Sequence, residues 1–170
     1  LRVGRKRFEL FLMPGGKLEV TINLPEIFWS ESHLFGKKEN GQLIWFEGTY
    51  AALNTELVKH AGLMNIYSAD NFYENICGVT PAQYKKYVTK IYEKNRGEIL
   101  KNKSLSDATC TYMINKLEMS YFFAIRGYKG NISYAPMISG KKGVKRADMT
   151  VDESYYDDIL ELDFIHSPYI

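Results

Sequence analysis

The chain has 170 residues, of which 45% are hydrophobic and 25% charged, and its formal net charge is +2. No apolar run approaches the roughly 20 residues of a membrane-spanning helix. The two cysteines, Cys77 and Cys110, form no CxxC pair, which argues against a disulfide framework or a zinc site and favours a reducing compartment. We therefore predict one cytoplasmic domain over residues 1–170, without a metal, another cofactor or a membrane partner.

Residues 5–24 are predicted to form a β-hairpin. In KLEVTINL the apolar residues alternate with polar ones from Leu18 to Leu24, which is the pattern of a half-buried strand. The segment RFELFL precedes this strand, and MPGG supplies a turn between the two. The next segment, PEIFWSESHLFG, is predicted to be a short helix or an irregular turn that ends at Gly36.

Residues 49–103 are predicted to be helical. TYAALNTELVKHAGLM has apolar residues at helical spacing, and SADNFYENICG predicts a second, short helix that ends at Gly78. In TPAQYKKYVTKIYEKNRGEILKNK, Thr80 is a cap, Pro81 stands in the first turn and Gln83 completes a capping box. The apolar stripe along this third helix predicts that one of its faces is buried.

Strand composition returns in residues 118–139, which are predicted to form a second hairpin. SYFFAI is a short continuous apolar run, RGYKGN is a turn, and ISYAPMIS alternates, with Pro136 as the mark of an edge or bulged strand. We expect the two hairpins to join in one antiparallel sheet. The predicted fold is therefore α+β, with a helical middle between N-terminal and C-terminal hairpins.

Charge is segregated in the last third of the chain. Between Glu118 and Asp148 all the charged residues are basic, and they are Arg126, Lys129, Lys141, Lys142, Lys145 and Arg146. An acidic tail, residues 148–170, follows without any lysine or arginine. Blocks of one charge either bind a partner of opposite charge, such as a polyanion, or are two solvated faces whose charges cancel. The tail is predicted either to fold over the basic loop and compete with a polyanion, or to be needed for folding.

His33 is the histidine best suited to acid–base chemistry. It follows Phe28 and Trp29, and apolar surroundings keep an imidazole neutral and able to accept a proton. The other interpretation is a packed core histidine. His60 borders the apolar stripe of a helix and is predicted to be structural, and His166 in the tail is discounted.

The second hairpin contributes groups of a complementary type. RNA cleavage without a metal needs a base for the 2′-hydroxyl, an acid for the leaving oxygen, and cations or donors at the phosphate. Arg126 and Lys129 are expected in the turn, Tyr134 and Ser139 on the second strand, and Lys141 in the loop beyond it. An exposed turn and a solvated loop are the other interpretation of these residues.

Two resemblances to known families are present. The segment SADNFYENICGVTPAQYKKY is similar to the end of the second helix-turn-helix of AraC-type regulators through Gly78, Val79, Thr80, Pro81, Tyr84 and Lys85. The spacing before Gly78 is too short for that motif, the chain continues far beyond it, and Thr-Pro at a helix start has a capping explanation. We interpret this similarity as local convergence.

The second resemblance covers most of the chain. Five features follow one another along the chain. They are a strand, an aromatic residue with a His-Leu-x-Gly element, a helix with Phe-Tyr…Ile, an aromatic strand, and a strand with proline and a hydroxyl residue. The corresponding residues are Lys17–Leu24, Phe28 with His33–Gly36, Phe72-Tyr73 with Ile76, Tyr121–Phe123, and Tyr134–Pro136 with Ser139. In this order the chain resembles the phage-associated nuclease-like domains grouped with barnase, EndoU, colicin and RelE nucleases.

That resemblance implies a metal-independent RNA hydrolase of toxin or phage-conflict type. RNA, including tRNA, would be the substrate, and an inhibitor or immunity protein would be a partner. The implied acid–base residue is His33, and Arg126 and Ser139 are the implied phosphate-side groups. Lys141 is added to the catalytic set for its charge and position. The predicted substrate-binding residues are Lys129, Tyr134, Lys142, Lys145 and Arg146.

The alternative prediction is a non-catalytic module, also of phage or mobile-element type, that binds nucleic acid or a protein. In that case Arg126, Lys129, Lys141 and the lysines and arginine that follow would hold phosphates or an acidic surface. Sequence leaves open whether the protein is an enzyme.

Overall fold

The computed structural model describes residues 1–31, 42–144 and 148–166. It divides into two compact units, Leu1–Ala61 and Gly62–Ile170. The prediction of a single domain stays a prediction. The α+β class is confirmed, because small antiparallel sheets and helices are both present. Among the described residues, no helix combines the length and the apolar character needed to cross a bilayer.

The first unit contains two short antiparallel sheets and two helices. Strands β1 (Arg2–Val3) and β2 (Lys6–Arg7) pair with each other, and β3 (Leu18–Ile22) pairs with β4 (Ile44–Gly48). Helix α1 (Leu24–Glu31) follows β3, and α2 (Ala51–Lys59) follows β4. The core of this unit is the cluster of Phe8, Ile27 and Ile44 with the partly buried hydrophobic side chains around it.

The strand predicted in KLEVTINL is confirmed, but its predicted partner is wrong. Exposure alternates along β3 as expected, and a turn forms at Pro14 and Gly15. The segment before that turn does not pair with β3, because Phe11 has another partner. Its backbone N–H donates to Asn54 Oδ1 at 2.7 Å, and its carbonyl accepts from Asn54 Nδ2 at 2.9 Å. A buried amide side chain thus satisfies the backbone groups that a strand partner would have satisfied.

The second unit is helical. Its helices are α3 (Phe72–Asn75), α4 (Pro81–Lys101), α5 (Asp107–Arg126), α6 (Tyr128–Ser139) and α7 (Asp157–Leu160). Short 3₁₀ turns lie at Ala61–Met64, Ile66–Ser68, Glu153–Tyr156 and Asp163–His166. Together with α2 of the first unit, these helices confirm the predicted helical region 49–103, including the capping box of Thr80 and Gln83 at the start of α4.

Helices α4 and α5 pack side by side through buried aromatic side chains. The Tyr84 hydroxyl donates to the Ala124 carbonyl at 2.9 Å, and it accepts from Asn131 Nδ2 at 2.8 Å. The Tyr92 and Tyr121 rings stack with centroids 4.5 Å apart. Burial raises the pKa of the Tyr84 hydroxyl well above its usual value, so it remains a neutral donor at physiological pH. These contacts bring α4, α5 and α6 into one core.

The predicted C-terminal hairpin at 118–139 is wrong, since both segments are helical. SYFFAI is the end of the 20-residue helix α5, and ISYAPMIS is most of the 12-residue helix α6. A short apolar run does not distinguish a buried strand from a buried helix. The joint sheet of two hairpins is therefore also wrong, and the described strands all lie in the first unit.

Helix α6 forms despite Pro136 in its interior. A proline there removes one helical hydrogen bond and costs about 3 kcal/mol. Burial of one face of the helix provides the free energy that offsets this cost. That face consists of Tyr128, Ile132 and Ala135, which are at helical spacing. Gly140 then ends the helix with a φ of 69°, a backbone conformation that favours glycine.

Candidate nucleic-acid interface

The predicted site residues of the C-terminal third lie on α5, on α6 and directly after α6. Arg126 is the last residue of α5, and Lys129 lies in the first turn of α6. Tyr134 is on α6 and Ser139 is its last residue, with Lys141 and Lys142 just beyond. His33, Lys145 and Arg146 lie outside the described residues.

The predicted catalytic groups of this unit do not converge. Arg126 and Ser139 stand at opposite ends of α6, whose 12 residues span about 18 Å at the usual helical rise. The Ser139 hydroxyl donates to the Pro136 carbonyl within its own helix, at 3.5 Å. The Lys141 ammonium donates to the carbonyl of Glu74, at 3.2 Å. One phosphate group cannot contact both ends of the helix, so these residues do not form a single phosphoryl-transfer site.

Arg126 and Lys129, by contrast, lie together at the corner between α5 and α6. The Arg126 guanidinium lies over two rings, 6.0 Å from the Phe122 centroid and 5.9 Å from that of Tyr156. The Lys129 ammonium lies 5.8 Å from the centroid of the Tyr128 ring. Both side chains are exposed. The aromatic rings orient the two cations without neutralising their charge.

A polar recess of about 400 Å³ opens beside this corner. Tyr128, Lys129 and Tyr156 line one part of it, and residues 148–151 line the rest. The Tyr128 hydroxyl donates to the Met149 carbonyl at 2.6 Å, which joins α6 to the segment after it. Hydrogen bonds from the hydroxyl and backbone N–H of Thr150 lower the pKa of Asp148. The recess therefore carries one anion beside the Lys129 ammonium.

Exposed rings accompany the cations on the same two helices. Phe123 on α5 and Tyr134 on α6 are 57% and 60% exposed. Sequence analysis assigned Phe123 to a strand and gave it no role, although its position three residues before Arg126 places both on one helical face. Met137 and Ile138 are also exposed on α6. We use the name α5–α6 surface for Phe123, Arg126, Lys129, Tyr134, Lys141 and Lys142.

The charged side chains that define the α5–α6 surface are all basic, and Asp148 lines the recess next to them. No acidic residue occurs in the sequence between Glu118 and Asp148. The four basic residues described in that stretch are all exposed. An exposed surface of one sign raises the local concentration of oppositely charged ligands.

No protein-family model, curated protein or solved structure matches this chain. The resemblance to the nuclease group stays a prediction that rests on the residues quoted for it. The cytoplasmic location and the inhibitor or immunity partner stay predictions as well.

Proposed function

We propose that this protein is a non-catalytic RNA-binding module, with single-stranded RNA held on the α5–α6 surface. The observation that carries the proposal is an exposed surface that combines cations with aromatic rings and has no acid in its own stretch of sequence. Single-stranded nucleic acids bind where positive side chains follow the phosphates and rings stack with the bases. Arg126, Lys129, Lys141 and Lys142 would contact phosphates, and Phe123 and Tyr134 would stack with bases.

Binding without catalysis is favoured over cleavage because of the geometry of α6. Phosphoryl transfer needs an acid, a base and a cation within hydrogen-bond reach of one phosphate. The length of α6 separates Arg126 from Ser139, and Lys141 donates to a backbone carbonyl. Cations at the end of α5, at the start of α6 and after α6 instead suit separate phosphates of an extended strand.

The first test is the salt dependence of binding to a fluorescein-labelled oligouridine. Each contacted phosphate contributes a slope of about 0.7 in log affinity against log salt for single strands. The variant Arg126→Gln with Lys129→Gln should lose about tenfold in affinity, and its slope should fall by about 1.4. The matched control is Lys101→Gln with Lys103→Gln, which removes the same charge from exposed positions at and just after the end of α4 and should retain the wild-type slope.

The second test separates stacking from charge. Phe123→Ala and Tyr134→Ala should each weaken oligouridine binding by about 1–3 kcal/mol without changing the salt slope. Met137→Ala removes an exposed apolar side chain of α6 that has no ring, and it should bind as the wild type does. Equal losses in all three variants would indicate a protein-binding surface instead of an RNA-binding one.

RNA cleavage, the activity implied by the nuclease resemblance, is tested separately. Purified protein and a His33→Ala variant are incubated with tRNA and with total RNA in the presence of EDTA. Cleavage that is lost in the variant would establish a metal-independent nuclease and would overturn the non-catalytic proposal. Intact RNA in both samples, or equal degradation by both proteins, would exclude His33 catalysis.

A further inference from the structure

A second candidate binding site is a groove of about 910 Å³ within the second unit. We call it the α4 groove. One wall is the first half of α4, from Thr80 to Glu93, and the other is the segment 148–155. The Lys85 ammonium holds the walls in place, since it donates to the Tyr155 carbonyl at 2.9 Å and pairs with Asp158 at 3.0 Å. The groove is therefore formed before any ligand binds.

The groove has two unpartnered lysines on its α4 wall and two hydrogen-bonded carboxylates on the other wall. Lys86 and Lys90 on α4 are exposed and, within the part of the chain that the structure describes, have no hydrogen bond or ion pair. On the other wall, Asp148 accepts hydrogen bonds from Thr150 and Asp152 accepts one from Ser154. Glu93, at the far end of the α4 wall, likewise has no hydrogen bond or ion pair among the described residues, so the unpartnered charges of this wall are two positive and one negative. An anionic group of a ligand would be recognised at Lys86 and Lys90.

The rest of the lining excludes a uniform polyanion. Lys85, Lys86 and Lys90 are offset by Glu93, Asp148 and Asp152, so the lining has no net charge. Between the charged groups lie apolar atoms of Pro81, Ala82, Val151 and Tyr155. A nucleic acid would bring phosphates near the three carboxylates. A ligand with acidic and apolar groups in alternation fits both kinds of lining.

The spacing along α4 matches an extended peptide. Lys86 and Lys90 are one helical turn apart, about 6 Å along the axis, and alternate residues of an extended strand are about 6.6 Å apart on one side. From Thr80 to Glu93 the wall is roughly 20 Å long, enough for about six extended residues. Carboxylates at alternate positions would contact the two ammonium groups, and the side chains between them would contact Val151 and Tyr155.

We propose that the α4 groove binds an extended peptide segment of a partner protein with acidic residues at alternate positions and apolar residues between them. This proposal does not rest on RNA binding, because the groove and the α5–α6 surface share none of their defining side chains. The two are therefore testable in the same preparation with different variants.

The test uses a fluorescein-labelled hexapeptide of alternating glutamate and valine and measures fluorescence anisotropy with the full chain. Lys86→Gln with Lys90→Gln should weaken binding by about tenfold, because two exposed charge contacts are lost. Ala82→Trp should abolish binding by filling the groove without a change of charge. Lys94→Gln, an exposed lysine of α4 outside the groove, and Arg126→Gln with Lys129→Gln should bind as the wild type does.

Three outcomes of the peptide assay would overturn the proposal. They are no binding of the peptide up to millimolar concentration, equal binding by wild type and the Lys86/Lys90 variant, and equal affinity for a peptide with lysine in place of glutamate. Displacement of the peptide by oligouridine with wild-type RNA affinity would also overturn it, since the groove would then be part of an RNA site. Thermal unfolding of each variant confirms that it is folded.

Discussion

The acidic segment 148–164 and the basic stretch 126–142 look alike in sequence, as blocks of one charge, yet the structure treats them differently. The acidic segment is held to the second unit by three buried side chains, Tyr155, Ile159 and Phe164. The charged side chains of the basic stretch remain exposed along α6 and after it. The basic stretch is anchored in the same way, by Tyr128, Ile132 and Ala135 on α6, and the charged side chains of both blocks are exposed. The difference lies in pairing: Asp158 of the acidic segment pairs with Lys85, whereas among the described residues no ion pair forms from the basic stretch.

Each segment is attached to the second unit by different contacts. In the acidic segment the Tyr155 hydroxyl donates to the Pro81 carbonyl, and the Phe164 N–H donates to Glu118 on α5. On α6 the inward side chains pack in the core, while Tyr134, Met137 and Ile138 face solvent. Of the two predictions for the tail, the need for folding is the one that these contacts support. Competition with a polyanion stays a prediction.

The largest expected effect is on the buried apolar side chains of the acidic segment. Ile159 is 1% exposed, and Ile159→Ala should lower the free energy of unfolding by about 2–5 kcal/mol through lost burial and a cavity. Its neighbour Leu160 is 74% exposed, so Leu160→Ala should change stability by no more than about 0.5 kcal/mol. Urea denaturation measures both, and similar values for the two variants would show that burial of Ile159 does not hold the acidic segment to the second unit.

A smaller effect is expected at the ion pair between the acidic segment and α4. Lys85→Met retains most of the aliphatic chain but removes the bonds to Asp158 and to the Tyr155 carbonyl. Because the Asp158 carboxylate is 49% exposed, solvent screening limits the expected loss to about 1 kcal/mol. Lys86→Met is the control, since Lys86 has no such partners among the described residues. A loss in the control as large as that in Lys85→Met would show that helix propensity, not the ion pair, is responsible.

The smallest expected effect is a pH dependence at Glu118, which joins α5 to the end of the acidic segment. Glu118 is 6% exposed, and burial raises its pKa above the ordinary 4.5, although the Phe164 N–H acts in the opposite direction. The folded state therefore keeps this proton to a higher pH than the unfolded state does. Its stabilising contribution is complete below pH 4.5 and is lost as the pH rises through the raised value.

The matched variant for this pH dependence is Glu118→Gln, which cannot ionise. Relative to that variant, the wild type should gain stability as the pH falls from neutral to below the ordinary carboxyl pKa. Thermal unfolding followed by circular dichroism at several pH values measures the difference. Parallel stability curves for the two proteins would show that Glu118 has the same proton affinity folded and unfolded.

Sequence patterns predicted those elements that are determined by interactions between residues close together in the chain. The capping box of Thr80 and Gln83 and the alternation in β3 both depend on neighbours in sequence, and both are confirmed. The predicted partner of β3 was wrong because Asn54, 43 positions further along the chain, binds the backbone of Phe11 in the segment that was expected to pair with β3. An apolar run such as SYFFAI has no local signal that separates a buried helix from a buried strand.

The candidate site was predicted in part. The basic stretch was evident from charge alone, and its described members are exposed as a binding surface requires. The separation of Arg126 from Ser139 follows from the α6 helix, which sequence analysis had assigned to a strand. The contact of Arg126 with Tyr156 joins residues that are 30 positions apart and has no local signal. The α4 groove was not predicted, although Lys86 and Lys90 at helical spacing in YKKYVTK were its visible signal.

Sequence by itself determined the helical middle, the β3 strand and the segregation of charge, because propensity, capping and charge act over a few residues. Tertiary structure alone decided that residues 118–139 are helical, which strand pairs with β3, and that Asp158 of the acidic segment pairs with Lys85. Those outcomes depend on apolar burial between residues far apart in the chain, and that free energy is absent from any local pattern.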